Sequence, residues 1–195
     1  ASAITALTAQ NTQQVAAIMP VDSNMVYKQI EAVASDMQVD AVKIGMVYDS
    51  ATASAIGSLL HRTSKDAVVC DPVMISTSGS KLMTDNTIQK IESELFPRST
   101  LITPNLYEAS MLAQCETVTI DDMRHVARLL SQKYGCSVLV KGGHLNNDTI
   151  SDILYCEEHF YQFDHPRVET RNLHGTGCTL SSAIATWLAF GYHLL

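Results

Sequence analysis

The sequence has no run of Lys or Arg and no basic excess. Thirteen Lys and Arg stand against 20 Asp and Glu, a formal net charge of -7 with a pI near 5.4. Binding a polyanion draws on displaced counterions and needs a basic patch, which argues against nucleic acid or anionic membrane as a partner and makes any phosphate binding local. No apolar window reaches the roughly 18 residues that a spanning helix needs, and the start carries no basic segment of a secretion signal. Cysteine is sparse. The five (Cys70, Cys115, Cys136, Cys156, Cys178) are odd in number, widely spaced and form no C-x-x-C. That argues against a disulfide framework and a zinc site and fits a reducing cytoplasm.

An initial Met is also missing, and so are polar ends. The chain opens in the apolar, β-prone run Ala3-Ile4-Thr5-Ala6-Leu7 and stops at His193-Leu194-Leu195. Natural termini are usually polar and frayed, so the expectation is an internal piece of a longer protein, or its ordered part. There is no internal repeat, linker or low-complexity segment.

What is present is ordinary globular material. At 46% hydrophobic and 17% charged, 195 residues suffice for one α/β domain spanning 1–195. Short apolar runs alternate with longer segments of helical period. The predicted strands are Ala3–Thr8, Ala41–Ile44, Ala67–Cys70, Thr100–Thr103 and Ser137–Val140. The predicted helices are Asp22–Ser35, Ser50–Arg62, Thr84–Leu95, Asn105–Gln114 and Thr119–Tyr134, several opened by Asp, Ser or Thr, with a capping box suggested at Thr119 to Asp122. Strict alternation of strand and helix means parallel strands joined by right-handed crossovers. The predicted fold is a doubly wound, mostly parallel α/β sheet with helices on both faces. After Gly142 the pattern breaks, and Thr149–Tyr155 with His159–Asp164 read as an antiparallel pair turned at Cys156-Glu157-Glu158.

Ligands of such a sheet gather beyond the C-terminal ends of its strands. Four of those positions are chemically loaded: Ala9-Gln10-Asn11-Thr12, Gly45-Met46, Asp71-Pro72-Val73-Met74 and Lys141-Gly142-Gly143-His144. Each one alone reads as loop chemistry. Together, the Asp71 carboxylate, Lys141 and a glycine-rich helix start on one edge would suit a magnesium-nucleotide site. Their convergence is the testable content. Asn105 and Glu108, three apart at the start of one helix, fit two accounts equally: oxygen donors to hydrated magnesium, or an N-cap with an acidic first turn. Lys141 and Glu108 stand where loops run over the surface, so truncating either is expected to spare the core.

The densest stretch is His174-Gly175-Thr176-Gly177-Cys178-Thr179-Leu180-Ser181-Ser182, which runs into the apolar Ala183–Phe190. It reads as a loop opening a buried helix whose first N–H groups and positive dipole end bind an anion. Glycine spacing by itself fits a plain turn with Cys178 as a small buried hydrophobe.

The order of residue types adds more. His-Gly-Thr-Gly-Cys-Thr, with Thr5 to Thr12, Lys43-Ile44-Gly45-Met46, Asp71-Pro72-Val73-Met74, Thr103-Pro104-Asn105 and Val140 to His144 in that sequence, resembles the phosphomethylpyrimidine kinases of the ribokinase-like superfamily. The resemblance spans nearly the whole chain. It implies phosphorylation of hydroxymethylpyrimidine and then of its monophosphate by ATP with Mg2+, in thiamine biosynthesis. It implies that Gln10, Met46 and Val73 line the pyrimidine pocket and that Asn105 and Glu108 hold magnesium through water, beside the carboxylate of Asp71. Lys141 and Thr176 would contact nucleotide phosphates, and Gly175, Gly177 and Cys178 would form the anion hole. Many ribokinase-like kinases carry an aspartate, the general base, where Cys178 stands. The family's N-terminal strand, glycine-rich segment and acidic residue over the pyrimidine are absent here, as are residues that would cover the adenine. Other readings are a pyridoxal or pyridoxamine kinase of the same superfamily, a truncated domain that only binds phosphate, and, last, a hydrolase with Cys178 as nucleophile and His144 or His174 as base. A homodimer is left open.

Overall fold

The computed structural model describes residues 1–11, 15–60, 67–74, 83–143, 148–170 and 175–195. The chain opens with an antiparallel hairpin, β1 (Ala6–Gln10) and β2 (Val15–Pro20), which forms a sheet of its own among the described residues. This corrects the sequence reading twice. The first predicted strand is not a member of the central sheet, and β2 was not anticipated. Both strands are exposed along most of their length, so neither carries the one-sided burial that makes alternation legible. Gln10 is the last residue of β1, not a loop residue beyond it.

The rest follows the expected alternation: α1 (Ser23–Asp36), β3 (Val42–Ile44), α2 (Ser50–Leu60), β4 (Val68–Cys70), α3 (Asp85–Glu94), β5 (Leu101–Ile102), α4 (Leu106–Ala113), α5 (Ile120–Tyr134), β6 (Ser137–Val140), β7 (Thr149–Cys156), β8 (His159–Pro166) and α6 (Thr176–Ala189). Arg62, the expected end of the second helix, lies outside the described residues. Polar side chains cap α1 to α5. Asp22 accepts the N–H groups of Asn24 and Met25 at 3.1 and 3.2 Å, and Asp49 accepts that of Thr52 at 2.7 Å. The expected capping box is present: Thr119 Oγ1 accepts the Asp122 N–H at 3.1 Å and Asp122 Oδ2 accepts the Thr119 N–H at 2.9 Å. Gly135, at φ 72°, ends α5 in a left-handed turn that a side chain would disfavour.

The six central strands lie side by side in chain order, β3 to β6 parallel and β7 and β8 antiparallel. The β7–β8 hairpin turns at Glu157 and Glu158, both with positive φ. Period-two alternation divides the strand residues between two cores. Val68, Cys70, Ile102, Val138, Val140, Ile153 and Tyr155 pack with α1 to α5. Val69, Leu101, Leu139 and Leu154 pack with Ala185, Ile184 and Leu188 of α6. Helices therefore cover both faces, with α6 alone on the second among the described residues; it buries Ser181 and Ala185 but leaves Leu180 and Trp187 exposed, so it is not the buried helix that its apolar sequence suggests. Burial on both sides is why these strands read as continuous apolar runs.

Candidate active site

The alternation that builds the second core also builds the site. Counting by two from Val69, Leu101 and Leu139 reaches Asp71, Thr103 and Lys141, one residue past the end of β4, β5 and β6 and on the face that carries α6. Backbone hydrogen bonds carry the ladder on to these residues: Asp71 N–H to Ile44 C=O at 2.9 Å, Thr103 N–H to Cys70 C=O at 3.0 Å, and Lys141 N–H to Pro104 C=O at 2.9 Å. The three side chains join. Lys141 Nζ lies 2.7 Å from Asp71 Oδ1, and Thr103 Oγ1 donates to the same oxygen at 3.1 Å. Thr103 and Asp71 are 0% and 2% exposed, so among the described residues this carboxylate has those two side-chain partners in place of water.

The N-terminus of α6 closes over the pair. A Cβ built on Gly177 would sit 3.1 Å from Lys141 Nζ and 3.6 Å from Asp71 Oδ2. Gly175 caps the helix at φ 79° and has no side chain to offer it. The first intrahelical bond is Thr179 N–H to Gly175 C=O at 2.8 Å, so the N–H groups of Gly177 and Cys178 precede the ladder, at the positive end of the dipole beside an ammonium. Cys178 is exposed. That corrects the view of it as a buried hydrophobe. The predicted convergence of Asp71, Lys141 and the glycine-rich helix start is therefore present.

Asn105 and Glu108 meet the capping description in full. Asn105 Oδ1 accepts the Glu108 N–H at 3.0 Å, and Glu108 Oε2 accepts the Asn105 N–H at 2.9 Å. Glu108 Oε1 also accepts the Met74 N–H at 3.0 Å, which ties α4 to the segment after β4. Glu108 is only 2% exposed. Its burial raises the carboxyl above the usual range, opposed by the Asn105 N–H, the Lys141 charge and the Met74 N–H, while Asp71 adds to the rise. A carboxyl so raised binds its proton more tightly folded than unfolded, so it favours folding in acid and opposes it at neutral pH. The surface position expected for Glu108 is thus overturned, because its side chain is buried and accepts two backbone N–H groups at depth. Val73, between Asp71 and Met74, is held at φ 21°, an uncommon backbone for a β-branched residue.

The remaining assignments are more scattered. Met46 lines a cavity of about 550 Å³ beside β3, with Thr5, Lys43 and Gly45. Asp71, Asn105, Glu108 and Lys141 do not line it. Thr5 Oγ1 donates to Met46 C=O at 2.7 Å, tying the base of the β1–β2 hairpin to this loop, while Gln10 is exposed at the far end of β1. Thr176 opens α6. His144 and His174 lie outside the described residues, as does Thr12. All five cysteines are free, and no helix among the described residues is long and apolar enough to cross a membrane. Two residues with clear contacts escaped the sequence reading: Thr103, quoted without a role, and Asp152, whose Oδ1 accepts the Gly142 N–H at 2.8 Å. Two-residue counting from the buried strand positions points to both.

The family model for phosphomethylpyrimidine kinase matches residues 1–195. The chain belongs to the phosphomethylpyrimidine kinase family. It is 43% identical to the hydroxymethylpyrimidine/phosphomethylpyrimidine kinase of Rhizobium meliloti over all of this chain and 73% of that protein. It is 42% identical to the thiamine biosynthesis bifunctional protein ThiED of Geobacter sulfurreducens, matching 97% of this chain but 39% of that longer protein. A crystal structure of phosphomethylpyrimidine kinase from Clostridium difficile superposes with a TM-score of 0.86 at 38% identity, covering all of this chain and 79% of the other. A pyridoxal kinase of Bacillus subtilis in an ADP complex gives 0.88 at 28% identity, covering 98% and 72%. The ribokinase-like α/β fold read from the sequence is thereby shown.

A prediction arises at Gly177. Alanine is the better helix former by about 1 kcal/mol, yet its methyl would press on the flexible end of Lys141. Gly177→Ala should keep or raise Tm while lowering kcat about tenfold or more, because small misplacements of a charge-stabilising group are costly. Thermal unfolding and turnover measured side by side check it.

Proposed function

We propose that this chain transfers the γ-phosphoryl of ATP to hydroxymethylpyrimidine and then to its monophosphate, in thiamine biosynthesis. The observation that carries the reading is the junction of Lys141, Asp71 and the N-terminus of α6 at one strand edge. A lysine and exposed helix N–H groups supply what phosphoryl transfer needs, a fixed positive field where negative charge gathers on the transferring oxygens. Lys141 and Thr176 take the nucleotide phosphates; Gly175, Gly177 and Cys178 form the hole around the transferring group; Gln10, Met46 and Val73 line the pyrimidine side. Identity near 40% with hydroxymethylpyrimidine/phosphomethylpyrimidine kinases, against 28% with the pyridoxal kinase, favours the pyrimidine over the pyridine substrate.

The residues fit Mg2+ by donor chemistry. Asp71, Glu108 and Asn105 present hard oxygens, and the Glu108 carboxyl, raised first by burial, is raised further by the charge of Asp71. Among the described residues no group of three His, Cys, Asp or Glu could hold an ion directly. A hydrated ion held by one or two carboxylates is the form magnesium ordinarily takes. When bound, it neutralises phosphate charge; the protein's share is to hold those oxygens still, through Thr103 on Asp71 and the capping box on Glu108. We also propose a cytoplasmic enzyme working on small molecules alone, without nucleic acid or membrane. The exposed apolar side chains Ile4, Leu7, Val15 and Met19, in and beside the β1–β2 hairpin, suit a homodimer.

A coupled assay of ADP release tests the reading on the full chain, comparing hydroxymethylpyrimidine, its monophosphate and pyridoxal. Turnover with both pyrimidines and a lower kcat/KM for pyridoxal is expected. A preference for pyridoxal would transfer the assignment to the sibling activity, and no ADP with any of the three would leave phosphate binding alone.

A further inference from the structure

Lys141 stands where β6 leaves the sheet. The β6–β7 ladder pairs Val140 with Ile153, and just beyond it the partner changes: the Gly142 N–H goes not to a strand carbonyl but to Asp152 Oδ1, at 2.8 Å. Gly142 is buried, so its N–H needs a protein acceptor. A Cβ there would come within 1.9 Å of the Ser151 carbonyl oxygen. The turn is thus pressed against β7, and only glycine fits. Two-residue alternation from Leu154 places Asp152 on the face of the sheet that carries Asp71, Thr103, Lys141 and α6.

Nothing assigned so far uses this carboxylate. Its side chain is 15% exposed, and its other oxygen lies 3.5 Å from Nε2 of His165, which is 53% exposed. An exposed partner of that kind adds little, whereas sinking a carboxylate that far is costly unless hydrogen bonds meet it. We infer that Asp152 is a positioning residue for phosphoryl transfer, fixing the turn that carries Lys141. The lysine is then held at three points: its ammonium by Asp71, its own N–H by Pro104, and the adjoining peptide by Asp152. A long, flexible side chain delivers its charge to one place only if its Cα is fixed.

The inference rests on the reading of Lys141 as a phosphate ligand, and the experiment separates the two. ADP release is measured with the full chain for wild type, Asp152→Ala, Lys141→Ala and the double variant. Asp152→Ala should lower kcat about 10–100-fold, the scale of a misplacement of about 1 Å, with KM for the pyrimidine within about twofold. In the Lys141→Ala background the same change should cost less than about threefold, since the group being positioned is gone. Asp152→Asn, which keeps an acceptor oxygen for Gly142, should stay within about threefold of wild type. Equal losses in both backgrounds, or an Asn variant as impaired as the Ala variant, would overturn the inference. Should Asp152→Ala not fold, Asp152→Ser, too short to reach Gly142, replaces it in the same cycle. If neither folds while Asp152→Asn does, the residue serves stability and the inference fails. If Lys141→Ala itself keeps wild-type kcat, the phosphate reading falls, and the inference with it.

Discussion

Lys141→Ala is expected to lower kcat by about 10²–10³-fold, the usual cost of removing one charge-stabilising donor from a site built around developing negative charge, and to lower Tm as well. The second effect comes from what remains. Asp71, 2% exposed, keeps only the Thr103 hydroxyl as a hydrogen-bonded side chain among the described residues. Breaking one side of a buried pair costs ~3–5 kcal/mol. The Lys141 side chain is 16% exposed, so water at the mouth of the site screens part of that, leaving about 2 kcal/mol, or roughly 4–8 °C in a chain of this size. The surface position read from the sequence gave the opposite expectation, an unchanged Tm. A double variant tells the charges apart: Asp71→Asn with Lys141→Met leaves no unpaired charge and should recover most of the Tm while staying inactive. Thermal unfolding and ADP release on all three proteins decide it. Recovery of activity in the double variant would mean that Lys141 acts only through the pair.

The contrast between these two expectations locates the limit of the sequence. Strands such as Val68-Val69-Cys70 and Val138-Leu139-Val140 were legible because both faces are buried and every position is apolar. The helices were legible because their caps are local: Asp22, Thr119 and Asp122 satisfy N–H groups two or three residues away. The convergence on one edge was legible too, since parallel topology sends every strand's C-terminal end the same way. Depth was not. Asp71 and Lys141 are 70 residues apart, and Glu108 and Met74 34 apart, so nothing in the local sequence tells that a loop carboxylate will be buried and backbone-bonded. The β1–β2 hairpin was missed for the converse reason: it lies at the surface, where hydrophobic pattern carries no information about pairing.

The exposure of Cys178 gives the last expectation its form. Its position is the third of α6, at the positive end of the dipole and next to Gly177, which faces Lys141 and Asp71, where the dipole favours an aspartate. Cys178→Asp should therefore leave Tm within a few degrees and act on chemistry. For hydroxymethylpyrimidine the nucleophile is an alcohol whose proton must leave, and a carboxylate there supplies a general base, an effect typically of about 10²–10⁴-fold. For the monophosphate the attacking oxygen is already ionised near neutral pH. A fixed carboxylate about 4 Å away would repel it by roughly 1–4 kcal/mol, depending on the effective dielectric, which is about a fivefold to a thousandfold loss. The variant should keep or improve the first phosphorylation and selectively lose the second, measured as kcat/KM on each substrate separately. That outcome would mean that a side chain without a fixed charge lets one site serve two nucleophiles of different charge, with the Gly177 and Cys178 N–H groups stabilising the transferring phosphoryl in both. Equal losses on the two substrates would show that the position is set by packing, and the two phosphorylations would need another explanation.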